Sequence, residues 1–142
     1  MTTNSMRLQI ITPEKTVFSE EVDQVTLMTK DGEITVLPHH IPLVSLLQPG
    51  ELRYLKNGVE YHLAVSGGFA EVRPDGSLAI LADTAEHAAE IDLVRAQEAH
   101  DRAAKLMSEP RRRDEVDYAG LQAQMEKALA RLKVGNKYRK LK

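Results

Sequence analysis

The stretch Leu78-Ala-Ile-Leu-Ala-Asp-Thr-Ala-Glu-His-Ala-Ala-Glu-Ile-Asp-Leu-Val-Arg-Ala96 contains the change of pattern that decides the fold. Up to about Thr84, short apolar runs alternate with glycine turns. Beyond it Gly and Pro almost vanish, and Ala, Glu, Arg and Leu dominate. A strand-built domain is therefore followed by a shorter helical segment. The second part is too thin to bury a core of its own. It must pack on the first part or on another protein.

Upstream of the switch, Val59-Glu-Tyr-His-Leu-Ala-Val65 carries an apolar residue at every second position, which puts those residues on one face of a strand. Similar short runs are Leu8–Ile11, Thr16–Phe18, Val25–Met28, Ile34–Leu37, Glu51–Leu55, Phe69–Val72 and Leu78–Leu81. Turn signals separate them: Asp31-Gly32, Pro49-Gly50, Asn57-Gly58 and Pro74-Asp-Gly76. Asn-Gly and Asp-Gly supply the positive φ that tight hairpins need. Many short strands at near-regular spacing predict an antiparallel sandwich or barrel. Two stretches depart from simple hairpins. Leu37-Pro-His-His-Ile-Pro-Leu43 holds two prolines and reads as a loop or an edge crossing. Val65-Ser-Gly-Gly-Phe69 reads as a bulge or a close approach of backbones.

Downstream, Ile91 to Met107 lacks Gly and Pro, and Leu93, Ala96, Ala103 and Met107 share a broad helical face. Glu109-Pro110 ends that helix, and Arg111-Arg-Arg113 makes a polar connection. A second helix is predicted from about Asp114 or Val116 to Val134, with Gly135-Asn136 as its stop. Its large apolar residues Tyr118, Leu121, Met125, Leu129 and Leu132 form one stripe. Val116, Ala123, Ala130 and Val134 form a smaller stripe roughly opposite. Two apolar faces imply cover on both sides in at least one state. Gly120 inside this helix costs about 1 kcal/mol relative to Ala. A short connection makes the two helices antiparallel neighbours.

Composition narrows the function classes. The 142 residues include 19 basic and 21 acidic side chains, a balance that argues against a general nucleic-acid binder. Two Phe, four Tyr and no Trp leave few platforms for base stacking. With no cysteine there are no disulfides and no thiolate metal sites. No run approaches the ~18 apolar residues of a membrane span. The polar start, Met1 to Met6, has no signal core or Arg-rich transit pattern. The expectation is a soluble protein that reaches a membrane only through a partner.

No catalyst is legible. There is no phosphate-binding P-loop, and Ser66 lacks the glycine two residues before it that a nucleophile elbow needs. His39 and His40 are adjacent and would point apart in extended chain. His62, His87 and His100 have no ligand spacing, so loop or surface histidines are expected. Arg111–Arg113 and the basic tail Lys137–Lys142 read as solvated charge, or as contacts to phosphate or acidic protein. Asp92, Arg95 and Arg102 fall on one side of a helix. They could clamp a phosphate through guanidinium forks, or Asp92 could simply cap and pair locally.

Several segments together resemble the epsilon subunit of bacterial and chloroplast F-type ATP synthases. They are Asp31-Gly-Glu-Ile-Thr-Val-Leu-Pro-His-His-Ile-Pro-Leu43, Gln48-Pro-Gly50, Val65-Ser-Gly-Gly-Phe-Ala-Glu-Val72, Leu81-Ala-Asp-Thr84, Ile91-Asp-Leu-Val-Arg-Ala96, Val116-Asp-Tyr-Ala119 and Ala128-Leu-Ala-Arg-Leu-Lys-Val134. Their order and spacing make the resemblance specific from about Leu8 to Val134. It implies an α+β fold: an antiparallel β-sandwich of two five-stranded sheets, residues 1–86, then a two-helix hairpin with a basic tail, residues 87–142. It implies no active site and no required cofactor. The implied role is a rotor subunit in the central stalk of a proton-transporting ATP synthase. The sandwich would bind the gamma subunit and the c-subunit ring, with Glu33, Pro38, His39 and His40 at that contact. The hairpin would switch between a folded state and an extended state that reaches the catalytic alpha and beta subunits and inhibits ATP hydrolysis. In some similar bacterial proteins ATP favours the folded hairpin. The matching positions are Glu86, Asp92, Arg95, Ala96, Arg102, Lys127 and Arg131, with Lys127 where those proteins carry an Arg. The implied location is the cytoplasmic face of a bacterial inner membrane, with no nucleic acid partner. A different reading of the same residues is a free-standing ATP sensor built on Asp92, Arg95 and Arg102.

Overall fold

The computed structural model describes residues 4–109 and 117–141. The expected helix stop at Pro110, the Arg111–Arg113 connection, Val116 and Lys142 lie outside them. Ten strands form two five-stranded sheets, and two helices follow. The first sheet has the order β2 (Thr16–Val22), β1 (Met6–Ile11), β9 (Leu78–Leu81), β8 (Phe69–Val72), β5 (Leu43–Leu46). The second runs β10 (Thr84–His87), β7 (Val59–Ser66), β6 (Gly50–Lys56), β3 (Gln24–Thr29), β4 (Gly32–Val36). All pairings are antiparallel except β1 with β9, which run parallel because the chain re-enters beside its own first strand.

The inward side chains of both sheets form one core, with Leu8, Ile10, Leu27, Leu52, Leu63 and Ile80 almost fully buried. Alternation does what it should on β6: Leu52 and Tyr54 face inward while Glu51 and Arg53 stay accessible. Strand β7 breaks that rule. From His62 to Ser66 it is buried on both faces, because a helix lies over the outside of the second sheet. Val65-Ser-Gly-Gly-Phe69 is the crossing from β7 to β8. Gly67 and Gly68 have φ of +61° and +96°, and a Cβ on Gly68 would run into the Leu81 carbonyl. The glycines therefore serve a close backbone approach.

After β10 a single 3-10 turn, Ala88–Glu90, leads to α1 (Leu93–Ser108). The Asp92 carboxylate caps α1 by accepting a hydrogen bond from the Arg95 backbone N–H at 3.1 Å. Helix α2 spans Tyr118–Leu141. Asp117 caps it through the Gly120 N–H at 2.9 Å, and a Cβ on Gly120 would strike that carboxylate. The glycine that weakens the helix thus makes room for its cap. The helix does not stop at Gly135-Asn136, as the sequence predicts, but runs through both. Gly135 is buried, and a Cβ there would sit 2.5 Å from the Leu93 side chain. Its role is close packing of α2 on the start of α1. The basic tail, read as solvated charge or as a contact to phosphate or acidic protein, is helical through Leu141, and Lys137 docks on Glu51.

The helices pack on each other, and α2 also packs on β7, β6 and the 3-10 turn. Val134 is 1% exposed and joins Ala64 of β7 and Ala88 in a second apolar cluster, flanked by Ile91 and Tyr138. Of the small-residue stripe of α2, Ala130 and Val134 are buried, whereas Ala123 stays exposed. Of the large stripe, Tyr118 and Leu129 remain 40% and 48% exposed.

Candidate functional site

Three surfaces gather polar or exposed apolar groups, and the sequence singled out only some of their members. The first is a cleft of about 200 Å³ between the helices, lined by Ala99 and Arg102 of α1 and Gln124, Lys127, Ala128 and Arg131 of α2. The sequence-derived ligand set divides here. Arg102, Lys127 and Arg131 converge on the cleft. Glu86 reaches Arg131 from β10, with the guanidinium Nε 3.1 Å from the carboxylate. Asp92 and Arg95 do not line it, and Asp92 is the helix cap. Ala96 is fully buried against the second helix side. Among the described residues, Arg102 and Lys127 form no ion pair. Two free cations and one tethered Arg make an anion-attracting cleft. Its volume lies below the ~300–1,000 Å³ typical of small-molecule pockets, so it matches a phosphate chain better than a whole nucleotide.

The second surface is the edge of the first sheet. His39 takes φ +68° in the turn before β5. The His40 Nδ1 lies 2.7 Å from the Ile41 carbonyl, so that ring nitrogen donates to the backbone. Leu37, Ile41, Val44 and Leu46 are 52%, 75%, 67% and 57% exposed along this loop and strand. Such an apolar run on an edge strand marks a surface that meets another chain. The sequence reads Leu37–Leu43 as a loop or an edge crossing, with Pro38, His39 and His40 at a contact implied by the resemblance; what it missed is the strand that follows, whose signal was the run Leu43-Val-Ser-Leu46. Glu33 is not part of this surface. It lies near the start of β4, and the Pro38–His40 turn follows the strand's other end.

The third surface is a charge network on the outside of the second sheet. Arg53 pairs with Glu51 at 2.9 Å, Glu33 at 3.5 Å and Glu60 at 3.9 Å. His62 stands between Glu51 and Glu60, each 3.3 Å from one ring nitrogen. Lys137 of α2 completes it, 3.0 Å from Glu51. His62 is thus buried, not the loop or surface histidine that spacing suggested, because α2 covers it. Burial pushes the Glu51 carboxyl up. Hydrogen bonds from Arg53 and Lys137, with the charges of Lys137 and His62, outweigh this and hold it below the usual 4.5. The network was illegible in the sequence because its members are spread over four elements.

The chain matches two family models end to end. One, described as ATP synthase, Delta/Epsilon chain, beta-sandwich domain, covers residues 5–88. The other, the long alpha-helix domain of the same chain, covers residues 89–136. The chain belongs to the ATP synthase delta/epsilon family. Similar curated members are named ATP synthase epsilon chain. That of Syntrophobacter fumaroxidans is 46% identical over 132 residues, spanning 93% of this chain and 96% of the relative. That of Dehalococcoides mccartyi is 47% identical over 135 residues, 95% of each. A chain in the mitochondrial ATP synthase structure of Euglena gracilis superposes with a TM-score of 0.78 at 25% identity, covering 96% of this chain and 84% of that one. A chain from the central stalk and c ring of the Tetrahymena thermophila enzyme shares the fold, with a TM-score of 0.57 at 13% identity. The epsilon-family frame makes this chain a subunit of ATP synthase. The boundary between its two matched parts falls inside the 3-10 turn, where the sandwich core has already closed. Among the described residues no helix is long and apolar enough to cross a membrane.

Proposed function

We propose that this epsilon-family chain is a non-catalytic central-stalk subunit of a proton-translocating F-type ATP synthase. In this reading the sandwich joins gamma to the c ring, and the hairpin, when released, reaches the catalytic alpha and beta subunits and inhibits ATP hydrolysis. The observation that carries the proposal is the two-sidedness of α2. Its small residues dock on β7, while Tyr118 and Leu129, with Val94 of α1, stay exposed. A helix with a second apolar face has a second set of contacts available to it, as a two-state element requires. The exposed Leu37–Leu46 edge with His39 and His40 supplies a surface for gamma or the c ring, and Glu33 a separate contact at the far end of β4. The membrane is met only through the complex, at the cytoplasmic face of a bacterial inner membrane.

ATP is a regulatory ligand in this proposal. Its phosphates would lie among Arg102, Lys127 and Arg131, bridging the two helices and favouring the docked state. Lys127 offers a point charge where a guanidinium would offer a fork, so binding is weak. The free-standing sensor has less support, since Asp92 is committed to its cap and Arg95 lies away from the cleft.

The test is the ATP hydrolysis rate of a catalytic head lacking its epsilon subunit. It compares added full-length chain with a chain ending at Glu90, which keeps the whole sandwich core. Inhibition by the full-length chain alone is expected. Equal binding without inhibition by either would leave a coupling role and remove the inhibitory one. No binding to gamma at micromolar concentration would sink the assignment.

A further inference from the structure

We propose that Lys137 and Tyr138, in the last turns of α2, are a latch that holds the hairpin on the sandwich, with Glu51 of β6 as its keeper. This rests on the reading that the hairpin can leave the sandwich. Both residues lie past position 136, where the family match ends. Consecutive helix residues point about 100° apart, so the pair grips in two directions. Lys137 reaches toward β6 and bonds Glu51 at 3.0 Å. Tyr138 packs against the cluster of Ala64, Ala88 and Val134, beside Ile91.

The keeper is built before the latch arrives. The Glu51 side chain is 12% exposed. Its carboxylate is held by Arg53 at 2.9 Å and faces His62 at 3.3 Å. It therefore never becomes a bare buried charge when Lys137 leaves, and the open state stays accessible. The surroundings still call for a cation. Glu33, Glu51 and Glu60 share the one guanidinium of Arg53, with His62 between two of them. Lys137 brings the second Lys or Arg charge to that carboxylate cluster. Glu126 and Lys133 of α2 line the same cleft and add one charge of each sign to it. The basic tail thus acquires a defined acceptor within its own chain.

The test uses the full chain, which has no cysteine of its own. An Ala64→Cys thiol, buried under α2, reports opening of the hairpin through its rate of modification. An Ala82→Cys thiol in the sandwich core reports global unfolding. Lys137→Met should speed modification at position 64 about threefold, and Lys137→Met with Tyr138→Ala at least about tenfold, which corresponds to about 1.4 kcal/mol. Position 82 should not respond. Lys137→Arg should stay near the parent rate. The Glu51 carboxyl, followed by NMR, should titrate nearer its usual range in Lys137→Met and not in Lys137→Arg. If the double variant leaves position 64 unchanged while Val134→Ala exposes it, the hairpin opens but the latch is not here. If Val134→Ala exposes positions 64 and 82 equally, the hairpin does not open as a unit, and the mobile-hairpin reading falls together with the latch.

Discussion

Replacing Val134 with Ala isolates the contact on which the two-state reading depends. Val134 is 1% exposed and sits in the small cluster between α2 and the sandwich, apart from the main core. The substitution removes two methyl-sized groups, about 1.6 kcal/mol at ~0.8 kcal/mol each. A residual cavity raises this to about 2 kcal/mol, or roughly 30-fold in an equilibrium constant. If the hairpin opens independently, the whole effect appears in the docked-to-open equilibrium. An Ala64→Cys thiol should then be modified about 30-fold faster, and an Ala82→Cys thiol at the parent rate. Thermal unfolding of the sandwich should be unchanged. Equal acceleration at both positions would mean that sandwich and hairpin form one cooperative unit, and the argument from two apolar faces would be wrong.

Lys127→Arg restores a fork to the inter-helix cleft, and calorimetry should show ATP binding about tenfold tighter. Gly68→Ala forces a side chain into a left-handed residue and against the Leu81 carbonyl. It should cost about 3 kcal/mol and lower the melting temperature by roughly 10 °C, read by calorimetry. Glu51 is held below 4.5 in the docked state, so its contribution is full above that range and is lost as pH falls through the lowered value. Thiol exposure at position 64 should therefore rise as pH falls through that lowered value, and Glu51→Gln should remove that rise. Val44→Lys on the exposed edge should leave folding intact but weaken binding to gamma at least about tenfold, measured by titration calorimetry.

The period of two in β7 and the glycine turns were enough to place eight strands, because their inward residues make the core and their turns need special φ. The two missed strands had no such mark. Thr84–His87 lacks alternation and is a strand because it pairs with β7. Leu43–Leu46 pairs with β8 but leaves apolar side chains outside, so its pattern does not record the core. Helix α2 was placed correctly in kind and wrongly in length. Gly135 reads as a stop by local propensity, but the Leu93 side chain leaves no room for a Cβ, and the tertiary contact overrides the propensity. Within the candidate site, Arg102, Lys127 and Arg131 line one cleft, a meeting of two helices that spacing along the chain does not show. Asp92 went to its cap, an option that spacing had left open.

The same residues set how firmly α2 docks. Where α2 meets the outside of the second sheet, its fully buried residues are small: Ala130 and Val134. Small residues allow close approach but bury little apolar area, so each contributes less than a Leu would. Polar contacts do the rest: Arg131 to Glu86 and Lys137 to Glu51, both only partly shielded. Partly exposed ion pairs contribute about 1 kcal/mol or less each. Of the larger side chains, Tyr138 packs beside that contact, while Tyr118 and Leu129 keep 40% and 48% of their surface exposed, Leu129 at the rim of the cleft between α2 and the second sheet. That exposed apolar surface is what a second set of contacts would use in the two-state reading.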